Sequence, residues 1–311
     1  MSRTLAAVDI GTNSFHLIVV EHLDNGSLQH LNNQRVFLRL ASGKKNNKPF
    51  ITEDDFKKAI SALGNFTNII TKYRAKVRAV ATSAVREAAN NDEFVKRVQL
   101  ETGINVEIID GKTEANLIFM GMKNAIPIKD KSVIGIDIGG GSTEFIYAVD
   151  EKIQFAASVN IGAVRLSKMF FPDYLITGKV VEECENYVYD QINNTIKNDK
   201  NLKLDFAIGS SGTIDTICLI KQYALKGSAT NRLNGYEFSL NEFEKIYHEI
   251  MDLKTSDERM KIPGIEAKRA DVIPAGLIIL RQAFKIFNIK NMVLSEFALR
   301  EGIIYDMIDK V

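Results

Sequence analysis

The sequence predicts an α/β protein built from two similar domains, and three observations carry that prediction. The chain has 311 residues, about twice the roughly 150 that one domain takes. A run of three strands followed by alternating helices and strands occurs twice along it. In each run the first strand ends in the same way, Asp9-Ile-Gly11 and Asp137-Ile-Gly139, about one domain length apart.

In the first half, alternating apolar residues at Leu5–Ile10, Phe15–Glu21 and Leu28–Leu38 predict three strands, the second turn being Asp24-Asn25-Gly26. The stretch Ser42–Lys48, rich in Gly, Lys and Asn, reads as a loop. Thr52 then caps an amphipathic helix to about Tyr73, with Glu53, Asp54 and Asp55 at its positive end. A strand at Val77–Ala81, a helix near Asp92–Glu101, a strand at Val106–Ile109 and a helix at Lys112–Asn124 follow, and Asn124-Ala-Ile-Pro127 stops the last of these.

The second half restarts with strands at Ser132–Ile138, Thr143–Val149 and Ile153–Val159. A helix over about Gly178–Asn198, a strand at Leu204–Ile208, a glycine turn and further helices come next, and Glu296–Ile308 forms the last helix. The expected domains are 1–124 and 125–311, with a final helix near 297–310 placed to pack back on the first. Each sheet should be mixed: three antiparallel strands, then parallel additions.

Composition narrows the class. Hydrophobic residues make up 45% and charged residues 25% of the chain, ordinary values for a globular protein. The net charge of +1 argues against a nucleic-acid polymer or an anionic membrane as partner. No apolar run approaches a membrane span, and the N-terminus enters a strand without a signal-peptide pattern. The two cysteines, Cys184 and Cys218, suit a reducing compartment. A cytoplasmic protein is expected.

The turns carry the chemistry. A glycine run between two strands lets the backbone approach a ligand closely and aim successive N–H groups at one spot, which suits phosphate. Gly11, Thr12, Asn13 and Ser14 form the first such turn, and Gly139, Gly140, Gly141, Ser142 and Thr143 the second. A third, Ile208-Gly-Ser-Ser-Gly-Thr213, opens a helix whose N–H groups could hold a further anion, with Ser211, Gly212 and Thr213 as candidates. The aspartate before each turn stands where an oxygen-ligated Mg²⁺ would sit beside phosphate. One Asp-Xaa-Gly turn is usually only a hairpin; two at domain spacing plus a third make a site. Neither a P-loop nor a dinucleotide fingerprint is present.

Six segments then fall in a specific order: Asp9-Ile-Gly-Thr-Asn-Ser-Phe-His16, Ala81-Thr-Ser-Ala-Val-Arg-Glu-Ala88, Thr113-Glu-Ala-Asn-Leu-Ile-Phe119, Asp137-Ile-Gly-Gly-Gly-Ser-Thr-Glu144, Gly209-Ser-Ser-Gly-Thr213 and Leu299-Arg-Glu-Gly302. Together they resemble the exopolyphosphatase / guanosine pentaphosphate phosphatase family of the actin, hexokinase and chaperone ATPase superfamily, over nearly the whole chain. Longer members carry an additional helical C-terminal region; this chain looks like a short, two-domain member.

The resemblance implies two ribonuclease-H-like (actin-like ATPase) domains with the active site in an interdomain cleft. It also implies hydrolysis of a terminal phosphoanhydride of polyphosphate or guanosine pentaphosphate, assisted by Mg²⁺. By motif position Glu114 would be the general base, although an acidic residue in the first turn of a helix is also what the helix dipole favours. Arg86 would clamp phosphate oxygens, or else pair on the surface with Glu87. Asp137 with Glu144 would hold the metal; Asp9 would reach it through water or brace its own loop. Lys44, Lys45 and Lys48 could steer a polyanion or form a solvated loop. Arg165 and Arg269 resemble family positions that face the cleft, where distal phosphates or ordinary salt bridges would engage them. His16 reads as a packed strand residue.

Two other functions share these features. A small-molecule kinase would use the same loops, but the segments around Arg86 and Glu114 are phosphatase-like. A non-catalytic polyphosphate or alarmone sensor would bind without turnover. Substrate preference, chain length and homodimer formation do not follow from the sequence.

Overall fold

A computed structural model describes residues 3–173, 175–197, 202–229 and 233–310. Its elements, in chain order, begin with β1 (Arg3–Ile10), β2 (Ser14–His22), β3 (Leu28–Phe37), β4 (Gly43–Lys45), β5 (Lys48–Phe50), α1 (Glu53–Lys72), β6 (Lys76–Ala81), α2 (Ser83–Arg86), α3 (Asn91–Thr102), β7 (Val106–Ile108) and α4 (Gly111–Ala125). They continue with β8 (Ser132–Ile138), β9 (Thr143–Val149), β10 (Lys152–Val159), α5 (Ala163–Phe170), α6 (Gly178–Thr195), β11 (Phe206–Ser210), α7 (Gly212–Lys226), β12 (Glu237–Ser239), α8 (Leu240–Met251), α9 (Ser256–Arg259), α10 (Ile273–Ile286), β13 (Asn291–Leu294) and α11 (Leu299–Asp309).

Contacts divide the chain into one unit of Met1–Gly121 with Leu299–Val311, and a second of Met122–Ala298. The division falls within α4, and the final helix α11 belongs to the first unit, where it lies on β1 and β2.

The first unit carries a five-stranded sheet in the order β3-β2-β1-β6-β7. β1, β2 and β3 are antiparallel, and β6 and β7 join in parallel. Helix α1 buries Phe56, Ala59, Leu63, Phe66 and Ile70, one stripe at helical spacing. Its start is a capping box: Thr52 accepts from the Asp55 N–H at 3.2 Å while Asp55 accepts from the Thr52 N–H at 3.0 Å. Phe66 is fully buried, so truncating it to Ala should cost about 3–5 kcal/mol.

The second unit carries a six-stranded sheet in the order β10-β9-β8-β11-β13-β12. Again the first three strands are antiparallel and the next two are parallel additions. Its core is organised around α10, which is buried almost all round and enters through Pro274 in its first turn.

Three expectations need adjustment. The Ser42–Lys48 loop is in fact a small ribbon, β4 paired with β5. Asn46 and Asn47 take φ of 51° and 59° there, the left-handed pair that a tight hairpin needs and that Asn tolerates without Gly. The sheet of the second unit ends on β12, which is antiparallel to β13 instead of parallel. Helix α6 ends at Thr195, and the expected end at Asn198 lies outside the described residues. No helix among the described residues is long and apolar enough to cross a membrane.

Candidate active site

In the second unit, β8 and β9 meet in a tight turn in which the Gly139 N–H donates to the Ser142 carbonyl at 3.0 Å. A Cβ on Gly139 would lie 3.0 Å from that oxygen, a tight contact that glycine avoids. The register sets Asp137 opposite Glu144. Residues directly opposite in an antiparallel pair project from the same face, so the two carboxylates stand on one face of the hairpin. Both are buried, Asp137 at 6% and Glu144 at 1% exposure.

Buried carboxylates need donors. Asp137 receives the hydroxyls of Ser210, at the end of β11, and of Ser211, the latter at 2.9 Å to each oxygen. Glu144 receives the Ser158 hydroxyl from β10 at 2.7 Å. Parallel pairing of β11 with β8 places Ser210 in register with Asp137. Ser211 sits at φ 72°, a conformation that costs a non-glycine residue about 1–3 kcal/mol. Its bonds to Asp137 offset that strain.

Gly212 opens α7, and the Arg269 guanidinium lies where its Cβ would be, Nη1 falling 1.1 Å from that point. Arg269 also donates to Glu266 at 3.3 Å. The Thr213 side chain packs on Gly276 of α10, and the Thr143 hydroxyl donates to the Ile161 carbonyl at 2.5 Å. Both threonines are therefore anchored through their side chains. Arg165 donates from Nε to the Gly141 carbonyl at 2.7 Å.

The first unit repeats the hairpin with other side chains. The Gly11 N–H donates to the Ser14 carbonyl at 3.2 Å, and the Asn13 carbonyl accepts from the N–H groups of Leu38 and Arg39 at 3.0 and 3.1 Å. Asp9, however, stands opposite His16. The His16 Nε2 lies 2.8 Å from the Ser14 hydroxyl, and its Nδ1 lies 3.5 Å from Arg300 on α11. The Asn13 Oδ1 is buried without a hydrogen-bond partner in the structure. As an acceptor it suits a water or a cation, not a phosphate oxygen.

Glu114 and Arg86 come together in the same unit. Arg86 closes α2, the short helix after β6, and its Nη1 donates to Glu114 Oε2 at 2.8 Å and to the Ile109 carbonyl at 2.9 Å. Glu114 lies in the first turn of α4 and is only 5% exposed. Asp110 starts that helix by accepting the Thr113 N–H at 2.7 Å, a bond that, with the nearby Arg86 charge, holds the Asp110 carboxyl below its ordinary pKa. Glu87, the other expected partner of Arg86, accepts instead from the Ser83 hydroxyl at 2.9 Å. Lys44 and Lys45 are exposed on β4, with Lys45 5.3 Å over the Phe50 ring.

The donor set in the second unit can be tested against Mg²⁺. The ion takes oxygen ligands, usually one or two carboxylates with water and substrate phosphate completing the shell. Asp137 and Glu144 supply two carboxylates on one face of the hairpin. Among the described residues no group of three or more His, Cys, Asp or Glu is placed to hold a metal ion, so an ion here would depend on these two carboxylates with water and phosphate. The residues fit Mg²⁺.

Sequence reasoning missed Ser210 and Ser158 as parts of this site. Ser210 lay within the third glycine turn but was passed over because its role depends on β11 pairing beside β8. A cavity of about 590 Å³ in the second unit, with Ile126, Pro127, Phe206 and Val293 among its lining, contains none of these residues.

The sequence matches the Ppx/GppA phosphatase family over residues 18–311. The chain belongs to that family. It is 31% identical over 306 residues to a Haemophilus influenzae protein provisionally named an exopolyphosphatase, covering 98% of this chain and 91% of that one. It is 28% identical over 312 residues to the guanosine-5'-triphosphate,3'-diphosphate pyrophosphatase of Aliivibrio fischeri, and it spans 60% of that relative's length. The crystal structure of an exopolyphosphatase from Cytophaga hutchinsonii matches with a TM-score of 0.91 at 29% identity over 99% of both chains. The two units thus have the ribonuclease-H-like architecture of the actin-like ATPases, and this family member is a phosphatase.

Proposed function

We propose that this member of the Ppx/GppA phosphatase family releases orthophosphate from the end of a phosphoanhydride chain, inorganic polyphosphate or guanosine pentaphosphate. The observation that supports it most directly is the pairing of Glu114 with Arg86: a nearly buried carboxylate held by a guanidinium at 2.8 Å. The hairpin turns supply backbone donors for phosphate in each unit, and the relatives' names supply the substrate class.

Glu114 accepts a proton from a water molecule as its oxygen attacks the terminal phosphorus. The P–O bond to the bridging oxygen breaks, the shortened chain leaves as an anion, and orthophosphate is released. Arg86 orients the Glu114 carboxylate and places positive charge beside the transferring phosphoryl group. Asp137 and Glu144 would hold Mg²⁺, with Ser210, Ser211 and Ser158 fixing their oxygens. Bound there, the ion would neutralise phosphate charge.

Incubation with Mg²⁺ and either polyphosphate or guanosine pentaphosphate should release orthophosphate. Glu114→Gln keeps the side-chain shape but removes the base, and it should slow turnover by about 10²–10⁴-fold. A Gln variant as fast as the parent protein would overturn the assignment of the base. Absence of orthophosphate release from every phosphoanhydride supplied would overturn the reading as a whole.

A further inference from the structure

We infer that α5 and Arg165 form a clamp on the carbonyl side of the three-glycine turn, and that Arg165 is a positioning residue, not a contact for distal phosphates. This rests on the functional reading above for its consequence but not for its geometry.

The first three N–H groups of a helix have no partner within the helix and are usually met by a Ser, Thr, Asp or Asn cap. The cap of α5 is Gly162, which has no side chain to offer. The glycine turn does the capping instead. The Ala163 N–H donates to the Gly139 carbonyl at 2.9 Å, and those of Val164 and Arg165 both donate to the Gly140 carbonyl at 3.0 Å. Arg165 Nε completes the set on the Gly141 carbonyl at 2.7 Å. Three successive carbonyls are thus held from one side.

Peptide planarity gives this arrangement its meaning. In a trans peptide the C=O and the next N–H point in opposite directions. With the carbonyls of Gly139, Gly140 and Gly141 turned toward α5, the N–H groups of Gly140, Gly141 and Ser142 are turned away from it. Three neighbouring donors on one side form a concavity for an anion. Its orientation is set before any ligand arrives, which lowers the cost of binding and of transition-state stabilisation.

Gly162 is required for the same reason. A Cβ there would lie 2.5 Å from Gly140 C, Gly140 O and Gly141 N, inside the peptide that must be clamped. Any side chain would lift α5 off the turn. The conventional helix caps are therefore excluded at this position, and the turn and the helix satisfy each other.

Three variants separate this proposal from a substrate-contact role: Arg165→Met, Arg165→Lys and Gly162→Ala. Two measurements are made on each, backbone amide exchange across residues 139–142 and 163–165, and turnover of tripolyphosphate and long-chain polyphosphate. Arg165→Met and Gly162→Ala should each speed exchange at Ala163, Val164 and residue 165. Each should lower kcat about 10- to 100-fold, by the same factor on the short and the long substrate. Arg165→Lys retains a donor for the Gly141 carbonyl and should recover most of the loss. Should Gly162→Ala fail to fold, Arg165→Met carries the test alone. Unchanged exchange in Arg165→Met, or a loss confined to KM for the long chain, overturns the clamp. If the parent protein hydrolyses neither of these substrates nor guanosine pentaphosphate, the functional reading fails while the exchange data still decide the clamp.

Discussion

The two hairpins match position for position, Asp9 with Asp137, Gly11 with Gly139 and Ser14 with Ser142, yet they differ at the residue opposite the aspartate. In the first unit that residue is His16; in the second it is Glu144. The surroundings differ in the same sense. Asp137 is held by Ser210 and Ser211, and its turn is clamped by α5. The first turn is held at the Asn13 carbonyl by two backbone N–H groups and carries a buried acceptor, Asn13 Oδ1, without a partner. A shared backbone plan has thus received two electrostatic characters. The second hairpin sets two carboxylates on one face, where a hard cation would be held. The first mixes an aspartate with an imidazole and the Arg300 guanidinium, a poorer cation site.

The largest expected effect breaks this symmetry directly. Asp137→Asn should reduce Mg²⁺-dependent phosphate release by about 10²–10³-fold, the scale seen when one preorganised electrostatic group is removed. Asp9→Asn should cost about ten-fold or less. Equal losses in the two variants, measured over a Mg²⁺ titration, would mean that the two aspartates serve the ion alike and that the hairpins do not differ in this way.

A smaller effect comes from exchanging the opposed residues. Glu144→His makes the second hairpin resemble the first and should raise the Mg²⁺ concentration needed for half-maximal rate by about ten-fold, since one carboxylate ligand is lost. The converse, His16→Glu, should leave that concentration within about two-fold of the parent, because the apolar Val80 stands in register with Asp9 where Ser210 stands with Asp137.

Much of this contrast could be read before the fold was known, and the rest could not, for a physical reason. Strand periodicity and the Asp-Xaa-Gly turns are local signals, so β1, β2, β8 and β9 were expected within two residues of their observed bounds. Thr52 with Asp55 is equally local, and that helix starts where expected. The identity of the cross-strand partner follows from the turn length, so the Glu144 pairing was within reach. Ser210 beside Asp137 needs a parallel pairing between strands separated by two helices. Arg165 on Gly141, and Arg269 against Gly212, need the return of distant backbone. A residue's type says it can donate; only tertiary packing says to what. The β4–β5 ribbon was missed because its turn uses Asn46-Asn47, a pair less diagnostic than Asn-Gly.

Away from the hairpins, the helix caps of the two units offer a third contrast, now in stability. In the first unit, Asp55 is buried and accepts from the Ser42 N–H, the Ser42 hydroxyl and the Thr52 N–H. Asp55→Ala leaves those donors unmet and should destabilise by about 2–3 kcal/mol in urea unfolding. In the second unit, Glu242 at the start of α8 is more open, and its replacement should cost less.

Glu242 sharpens that last comparison through pH. It accepts from the Ser239 N–H at 2.8 Å and pairs with Lys221 at 2.8 Å. The hydrogen bond from Lys221 and then that from Ser239 hold its pKa down to about 2. In an unfolded chain a glutamate titrates near 4.3. Between those values the unfolded state binds more protons than the folded one, so the contribution of Glu242 is complete above about pH 4.3 and is lost as pH falls toward 2. The carboxylate is solvated, so its contribution is that of an exposed pair, about 0.2–1 kcal/mol. Glu242→Gln should therefore lower Tm slightly at pH 7, and its deficit against the parent should shrink as pH is taken from 5 toward 3. High salt should shrink it too, by screening Lys221. A deficit that stays constant across that pH range would place the effect of the substitution in the cap geometry of Ser239, leaving the charge on Glu242 without a part in holding α8.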